Sequence, residues 1–226
     1  MANHLDLEEQ EQLDQLKHFW NTWGTLISSI LLVVAVGLAA WNGYQYWQTR
    51  QAIQATALYD AVEVAAMTGD ESRLELAFTD MRSQYAGTTQ AGQAGLLVAK
   101  TYVGKGNLDA AKSALVWVAD HAADEGYKSL ARLRLAGILM DQKAYDDALK
   151  QLASPFAVEY AAVVADRKGD VFAMQGKKQE AIAEYSRAYK DLPDNMEYRR
   201  LVEVKLNALG VQPQVATLTA ASEIQK

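Results

Sequence analysis

The feature that most constrains this chain is a run from Phe19 to Thr49 without a single charged side chain. A helix through Thr22–Gly43 at about 1.5 Å per residue covers roughly 33 Å, enough to cross a hydrocarbon core of about 30 Å. Aromatic residues bracket it: Phe19, Trp20 and Trp23 on one side, and Trp41, Tyr44, Tyr46 and Trp47 on the other. Such belts mark the two water–lipid interfaces of a retained span. The competing reading is a cleaved signal peptide, with Ala35-Val36-Gly37 as the small-residue cut. The acidic segment before the run, its continuation past Gly37 and the second aromatic belt favour the anchor.

The flanking charges do not orient the span, because Lys17 before it is matched by Arg50 after it. A short tail ahead of a long domain favours the tail inside. Ala35, Ala39 and Gly43 recur at i, i+4 and i+8 and offer a face that another helix could approach closely. The alternative is that such small residues are simply frequent in spans.

Composition bounds the rest. The high Ala, Leu, Lys, Glu and Gln usage, with 3 prolines in 226 residues, favours helix. With no cysteine there is no disulfide scaffold, thiol nucleophile or Cys-ligated metal site. The net charge is −6. Asp6, Glu8, Glu9, Glu11 and Asp14 against Lys17 place most of it in residues 1–18. Neither part is basic, so the footprint of nucleic-acid binding is missing.

After the span the chain reads as short helices in a repeat. Gly106-Asn107-Leu108-Asp109-Ala110-Ala111, Lys143-Ala144-Tyr145-Asp146-Asp147-Ala148 and Gly176-Lys177-Lys178-Gln179-Glu180-Ala181 share one pattern, with a degenerate earlier copy from Gly69 to Leu74. The interval is close to the ~34 residues of a tetratricopeptide repeat. Ala111, Ala148 and Ala181 in second helices would meet Ala99, Ala136 and Gly169 in first helices, letting the backbones close up. Tyr102, Leu139 and Phe172 fill the adjacent large positions. Such pairs cannot bury their apolar faces alone and stack into a superhelix. The fold class is therefore all-α: one N-terminal transmembrane helix followed by a tetratricopeptide-repeat-like superhelix. A final helix over roughly 195–209 is expected, N-capped by Asp194 or Asn195 and ended by Gly210, with Leu201, Val204 and Leu209 as the covering face. The resulting layout is a tail over 1–18, the span over 19–48, the repeat domain over 49–210 and a C-terminal tail over 211–226.

No catalytic constellation is visible. His4, His18 and His121 lack ligand partners at metal spacing, and there is no phosphate loop or nucleophile elbow. The sequence therefore implies neither enzyme activity nor a cofactor or metal. In a repeat of this kind the working surface is the concave face, lined by first helices. The pattern places Tyr59 and Glu63 there, then Leu96, Lys100 and Val103, then Leu133 and Met140, then Asp166 and Asp170. That groove is apolar in the middle and acidic at both ends, suited to an extended segment with apolar and basic side chains. Alternatively, Leu96, Leu133 and Met140 are buried by packing within the superhelix.

The acidic tail with Leu13, Leu16, Phe19 and Trp20, the Trp-rich span, the repeats around Gly106–Ala111 and Gly176–Ala181, and Tyr85-Ala86-Gly87-Thr88 between units together resemble the ancillary SecYEG translocon subunit family. The resemblance covers nearly the whole chain. It implies a single-pass inner-membrane protein with the tail in the cytoplasm and the repeat domain in the periplasm. It further implies association with the SecYEG translocon and the PpiD chaperone, and transfer of exported protein clients from channel to periplasmic chaperones. A second implied role is restraint of the response regulator RcsB.

Overall fold

The computed structural model describes residues 7–213, and among these every regular element is helical. In order they are α1 (Leu7–Thr68), α2 (Glu71–Gln84), α3 (Thr89–Gly104), α4 (Leu108–His121), α5 (Glu125–Asp141), α6 (Tyr145–Leu152), a 3-10 turn (Val158–Tyr160), α7 (Ala161–Met174), α8 (Lys178–Asp191) and α9 (Glu197–Ala208). His4, Asp6 and most of the 211–226 tail lie outside the described residues. The chain divides into two units, residues 1–51 and 52–226.

The first unit holds the uncharged run inside α1, a helix long and apolar enough to cross a membrane. Among the described residues its large apolar side chains are mostly exposed: Leu32 is 65% and Val33 71% exposed. Both aromatic belts are exposed as well. Its polar side chains are satisfied locally. Thr22 Oγ1 donates to the His18 carbonyl at 2.9 Å, Ser29 Oγ to the Thr25 carbonyl at 2.7 Å, and Asn42 Nδ2 to the Leu38 carbonyl at 3.0 Å. Back-bonding of this kind shields hydroxyl and amide groups from apolar surroundings at little cost.

The second unit stacks helix pairs: the end of α1 with α2, α3 with α4, α5 with α6, α7 with α8, and then α9 alone. The repeat is most regular in its turns. The first helix of every pair ends in the same bond, from the amide just past the turn residue back to the carbonyl five residues earlier. Asp70 N–H reaches the Ala65 carbonyl (3.1 Å), Asn107 that of Tyr102 (2.9 Å), Ala144 that of Leu139 (2.8 Å), and Lys177 that of Phe172 (2.9 Å). Val211 repeats it on Leu206 after α9 (3.0 Å). This Schellman closure needs a left-handed residue at the turn. Gly69 (φ 73°), Gly106 (78°), Gly176 (74°) and Gly210 (83°) supply it, and Lys143 adopts φ 59° without being glycine.

Close packing follows the small residues. Ala99, Ala111, Ala136, Ala148 and Ala181 are buried, and Gly169 is buried beneath Tyr185. A Cβ on Gly169 would lie 2.4 Å from Tyr185 Cδ1, and one on Gly95 would lie 2.3 Å from Val118 Cγ2. The core runs through the stack as three adjoining clusters: one from α1 to α5, one around α5–α7 and one around α7–α9.

The last helix departs from expectation in two respects. It starts at Glu197 with Met196, and neither Asp194 nor Asn195, at the cap position and no side-chain cap, while Asp194 pairs with Arg199. Its inward face is Val202 and Leu206, both buried, with Tyr198 and Leu209 half-buried, whereas Leu201 and Val204 are 48% and 62% exposed. The i, i+4, i+8 stripe from Tyr198 determines which face turns inward.

Candidate functional site

The residues expected on the concave face fall at three registers of the first helices, and the structure treats the registers differently. Tyr59, Leu96, Leu133 and Asp166 share the position furthest before the turn. Tyr59 is half-buried, and burial, followed by the nearby Glu63 charge, raises its phenol pKa. Leu96 (7% exposed) and Leu133 (9%) are buried, because successive first helices lie side by side and close over this register. Met140 (4%) joins Leu133 in the cluster with Ala148, Leu152 and Val171. Leu96, Leu133 and Met140 therefore belong to the packed interior and do not form an open apolar floor. Glu63, Lys100 and Val103 are exposed. Ala35, Ala39 and Gly43 are exposed along α1, and a Cβ on Gly43 would meet nothing within 4 Å.

Asp166 and Asp170 anchor the most elaborate polar cluster in the protein. Asp166 is 1% exposed. Lys205 of α9 donates to both its carboxylate oxygens at 2.8 Å and to Asp170 Oδ1 at 2.6 Å. The Tyr198 hydroxyl donates to Asp166 Oδ2 at 2.5 Å, and the Tyr185 hydroxyl to Asp170 Oδ1 at 2.8 Å. Arg167 stands 3.7 Å from the other Asp170 oxygen. Desolvation, reinforced by the hydrogen bonds to the aspartates, holds the Tyr185 and Tyr198 phenols far above their ordinary pKa. Two carboxylates are thus balanced by one ammonium and one guanidinium, with the phenols held neutral as donors. The cluster consumes the acidic end that the sequence pattern offered to a ligand and spends it on fastening α9.

Lys205, Tyr198, Tyr185 and Arg167 were not among the expected site residues. A signal for Lys205 existed: it is a charged residue set beside Val202 and Leu206 in the stripe that α9 buries. Asp166 and Asp170, at i and i+4 on α7, are its counterpart.

Beside the cluster lies a cleft of about 380 Å³ that brings Met140 and Asp170 together with Gly137, Arg167, Met174 and Tyr185. Met174 is 56% exposed, and Arg167 Nε is buried without a hydrogen-bond partner. Thioethers beside a guanidinium suit adaptable binding of a side chain. Among the described residues no group of three or more His, Asp or Glu could hold a metal ion.

Stacked helix pairs, a recurring left-handed turn and a shallow Met-lined cleft define a repeat scaffold of the tetratricopeptide type. Residues 17–211 match the tetratricopeptide repeat-like domain family. An ancillary SecYEG translocon subunit of Neisseria gonorrhoeae (strain ATCC 700825 / FA 1090) is 35% identical over 213 residues, covering 92% of this chain and 100% of the relative. Proteins of the same name from Escherichia coli (strain K12) and Haemophilus influenzae (strain ATCC 51907 / DSM 11121 / KW20 / Rd) are each 27% identical, covering 90% of this chain and 97% and 98% of theirs. The chain belongs to the ancillary SecYEG translocon subunit family.

Proposed function

We propose that this chain is a non-catalytic adaptor at the SecYEG translocon. The observation that carries the reading is the correspondence with ancillary translocon subunits along nearly the whole chain, span and repeats together. In this reading residues 19–48 cross the inner membrane once, residues 1–18 stay in the cytoplasm and the 49–210 domain works in the periplasm. The Ala35, Ala39 and Gly43 face packs against a translocon helix. Glu63, Lys100, Val103 and the cleft at Met174 and Arg167 take exported segments and pass them to a chaperone of the PpiD type. Its shallow cleft and fully paired aspartates suit binding and release better than bond-making.

Photocrosslinkers placed at Ala35, Ala39 and Gly43 in native membranes test the anchor's role. Adducts to SecYEG subunits are expected, and none from any of the three positions would refute it. A reporter active only in the periplasm, fused after Lys226, tests the orientation; a silent reporter on an inserted protein would reverse it. The acidic tail favours a second reading, in which residues 1–16 contact a basic surface of a cytoplasmic regulator such as RcsB. Deleting them should then alter signalling and leave export intact, and unchanged signalling would reject this role.

A further inference from the structure

The two ends of the helical stack are finished differently. At the C-terminal end α9 lies over the last pair, burying Val202 and Leu206 completely and locking Lys205 onto Asp166. At the other end no helix of the second unit precedes the pair formed by the end of α1 with α2, and its outer side is a groove lined by Leu58, Ala61, Val64 and Leu76, with Asp60 and Asp80 on its rim.

Register shows what is missing there. Counted from each turn, Ala61 corresponds to Val98, Leu135 and Lys168, and Val64 to Thr101, Ile138 and Val171. The four apolar counterparts, Val98, Leu135, Ile138 and Val171, are 0%, 3%, 8% and 0% exposed, and Thr101 and Lys168 are half-buried. Leu135 and Ile138 share a cluster with Leu115 and Val118 of the preceding second helix α4, and Val171 shares one with Ala148 and Leu152 of α6. Ala61 is exposed and Val64 is 58% exposed because no second helix of the second unit stands before them. Leu76 on α2 makes a different point, because its register stays in solvent even inside the stack. Its counterparts Ser113, Lys150 and Ala183 are exposed and none is large and apolar, yet Leu76 is a leucine at 64% exposure. A solenoid end meant for water carries a polar outer face; this one exposes Val64 at a register that later pairs mostly bury, and Leu76 at one where they carry no large apolar side chain.

We propose that this groove receives an amphipathic helix from another protein, seated where a preceding second helix would lie, with lysine or arginine flanking its apolar face. The rim selects the charge. Asp60 and Asp80 take part in no ion pair among the described residues, while Arg73, the cation beside them, is held by Asp70 at 3.2 Å. Glu71 and Glu75 are balanced by Lys105 and Arg82, and Glu63 adds to the negative field of this end, which attracts a basic partner.

The test uses the full chain in detergent micelles. The probe is a fluorescent synthetic helix of the length of α4, 14 residues, with an Ala/Leu face and lysine flanks. The control peptide carries glutamate in place of lysine. Saturable binding of the lysine peptide alone is expected, weakened at least tenfold by Leu76→Arg and by Val64→Arg, with helicity unchanged because both side chains already face solvent. Asp60→Lys combined with Asp80→Lys should transfer the preference to the glutamate peptide. Equal binding of both peptides, or indifference to Leu76→Arg, would overturn the proposal. So would self-association of the chain that Leu76→Arg abolishes, since the occupant would then be a second copy.

Discussion

Replacing Lys205 by methionine isolates what the buried charge cluster contributes. Methionine is close to lysine in volume and apolar, so packing beside Val202 and Leu206 survives while the ammonium is lost. Asp166, 1% exposed, keeps only the Tyr198 hydroxyl, and Asp170 keeps Tyr185 and the distant Arg167. Three charge-assisted bonds disappear together. Removing one partner of a buried pair costs about 3–5 kcal/mol, mostly the penalty of the charge left behind. The side chains of Lys205 and Asp170 are 23% and 18% exposed, which admits some water, so we expect the lower end, about 3 kcal/mol. At about 1.4 kcal/mol per decade, amide exchange in α9 should accelerate about 100-fold, or to the unprotected rate if α9 is less stable than that. Amides of α4, which takes no part in the cluster, should change little. Asp166→Asn, which keeps an acceptor for Tyr198 and leaves Lys205 paired with Asp170, should cost less, about 1–2 kcal/mol. Hydrogen-exchange mass spectrometry of the full chain reads both variants. A change below about 1 kcal/mol for Lys205→Met would mean that the cluster does not fasten α9.

Three further outcomes follow from the same geometry. Lys143→Gly should stabilise the domain by about 0.5–1 kcal/mol in urea titrations, since glycine removes the left-handed penalty at φ 59° and returns part of the gain as chain entropy. Gly169→Ala should destabilise it by about 1–3 kcal/mol in the same assay, because the new methyl enters the Tyr185 ring. The third outcome concerns Tyr102, whose hydroxyl donates to Glu75 at 3.1 Å and whose pKa is pushed up to about 12 by burial first and that bond second. A pKa raised in the fold contributes stability that is complete below pH 10 and falls as the pH climbs towards 12. Tyr102→Phe should flatten that part of the stability profile, and an unchanged alkaline slope would contradict the assignment.

The parts of this fold legible in the sequence are those set by local chemistry. The uncharged run, its aromatic belts, the turn glycines and the small residues opposite one another each follow from a rule acting over a few residues. Lys143 could be placed at a turn because its neighbours repeat the pattern around Gly106 and Gly176, although lysine itself gives no sign of φ 59°. The groove was harder to read because it depends on how far successive first helices close upon each other. The one register that carries Tyr59, Leu96, Leu133 and Asp166 ranges from half-buried to 1% exposed. Periodicity finds the stripe a helix turns inward; it does not find the neighbour that covers it. Lys205 needed that second kind of knowledge, since its partners lie on a helix more than thirty residues away in sequence.

The same distinction bears on how such a scaffold can work. A stack of pairs is stabilised mostly by nearest neighbours, so each end is set by its terminal pair. Here one end is closed by a charged fastening whose removal leaves buried carboxylates, which makes opening costly and the closed form specific. The other end leaves Val64 and Leu76 in water, where covering them recovers about 25 cal/mol for each Å² of apolar surface removed. Adding a helix at the open end therefore extends the existing packing without breaking anything, whereas adding one at the α9 end requires breaking the Lys205 cluster first. A stack built this way can be lengthened by a further helix at one end only. If Lys205→Met loosened α9 and also weakened probe binding at Leu76, the ends would be coupled and this nearest-neighbour account would fail.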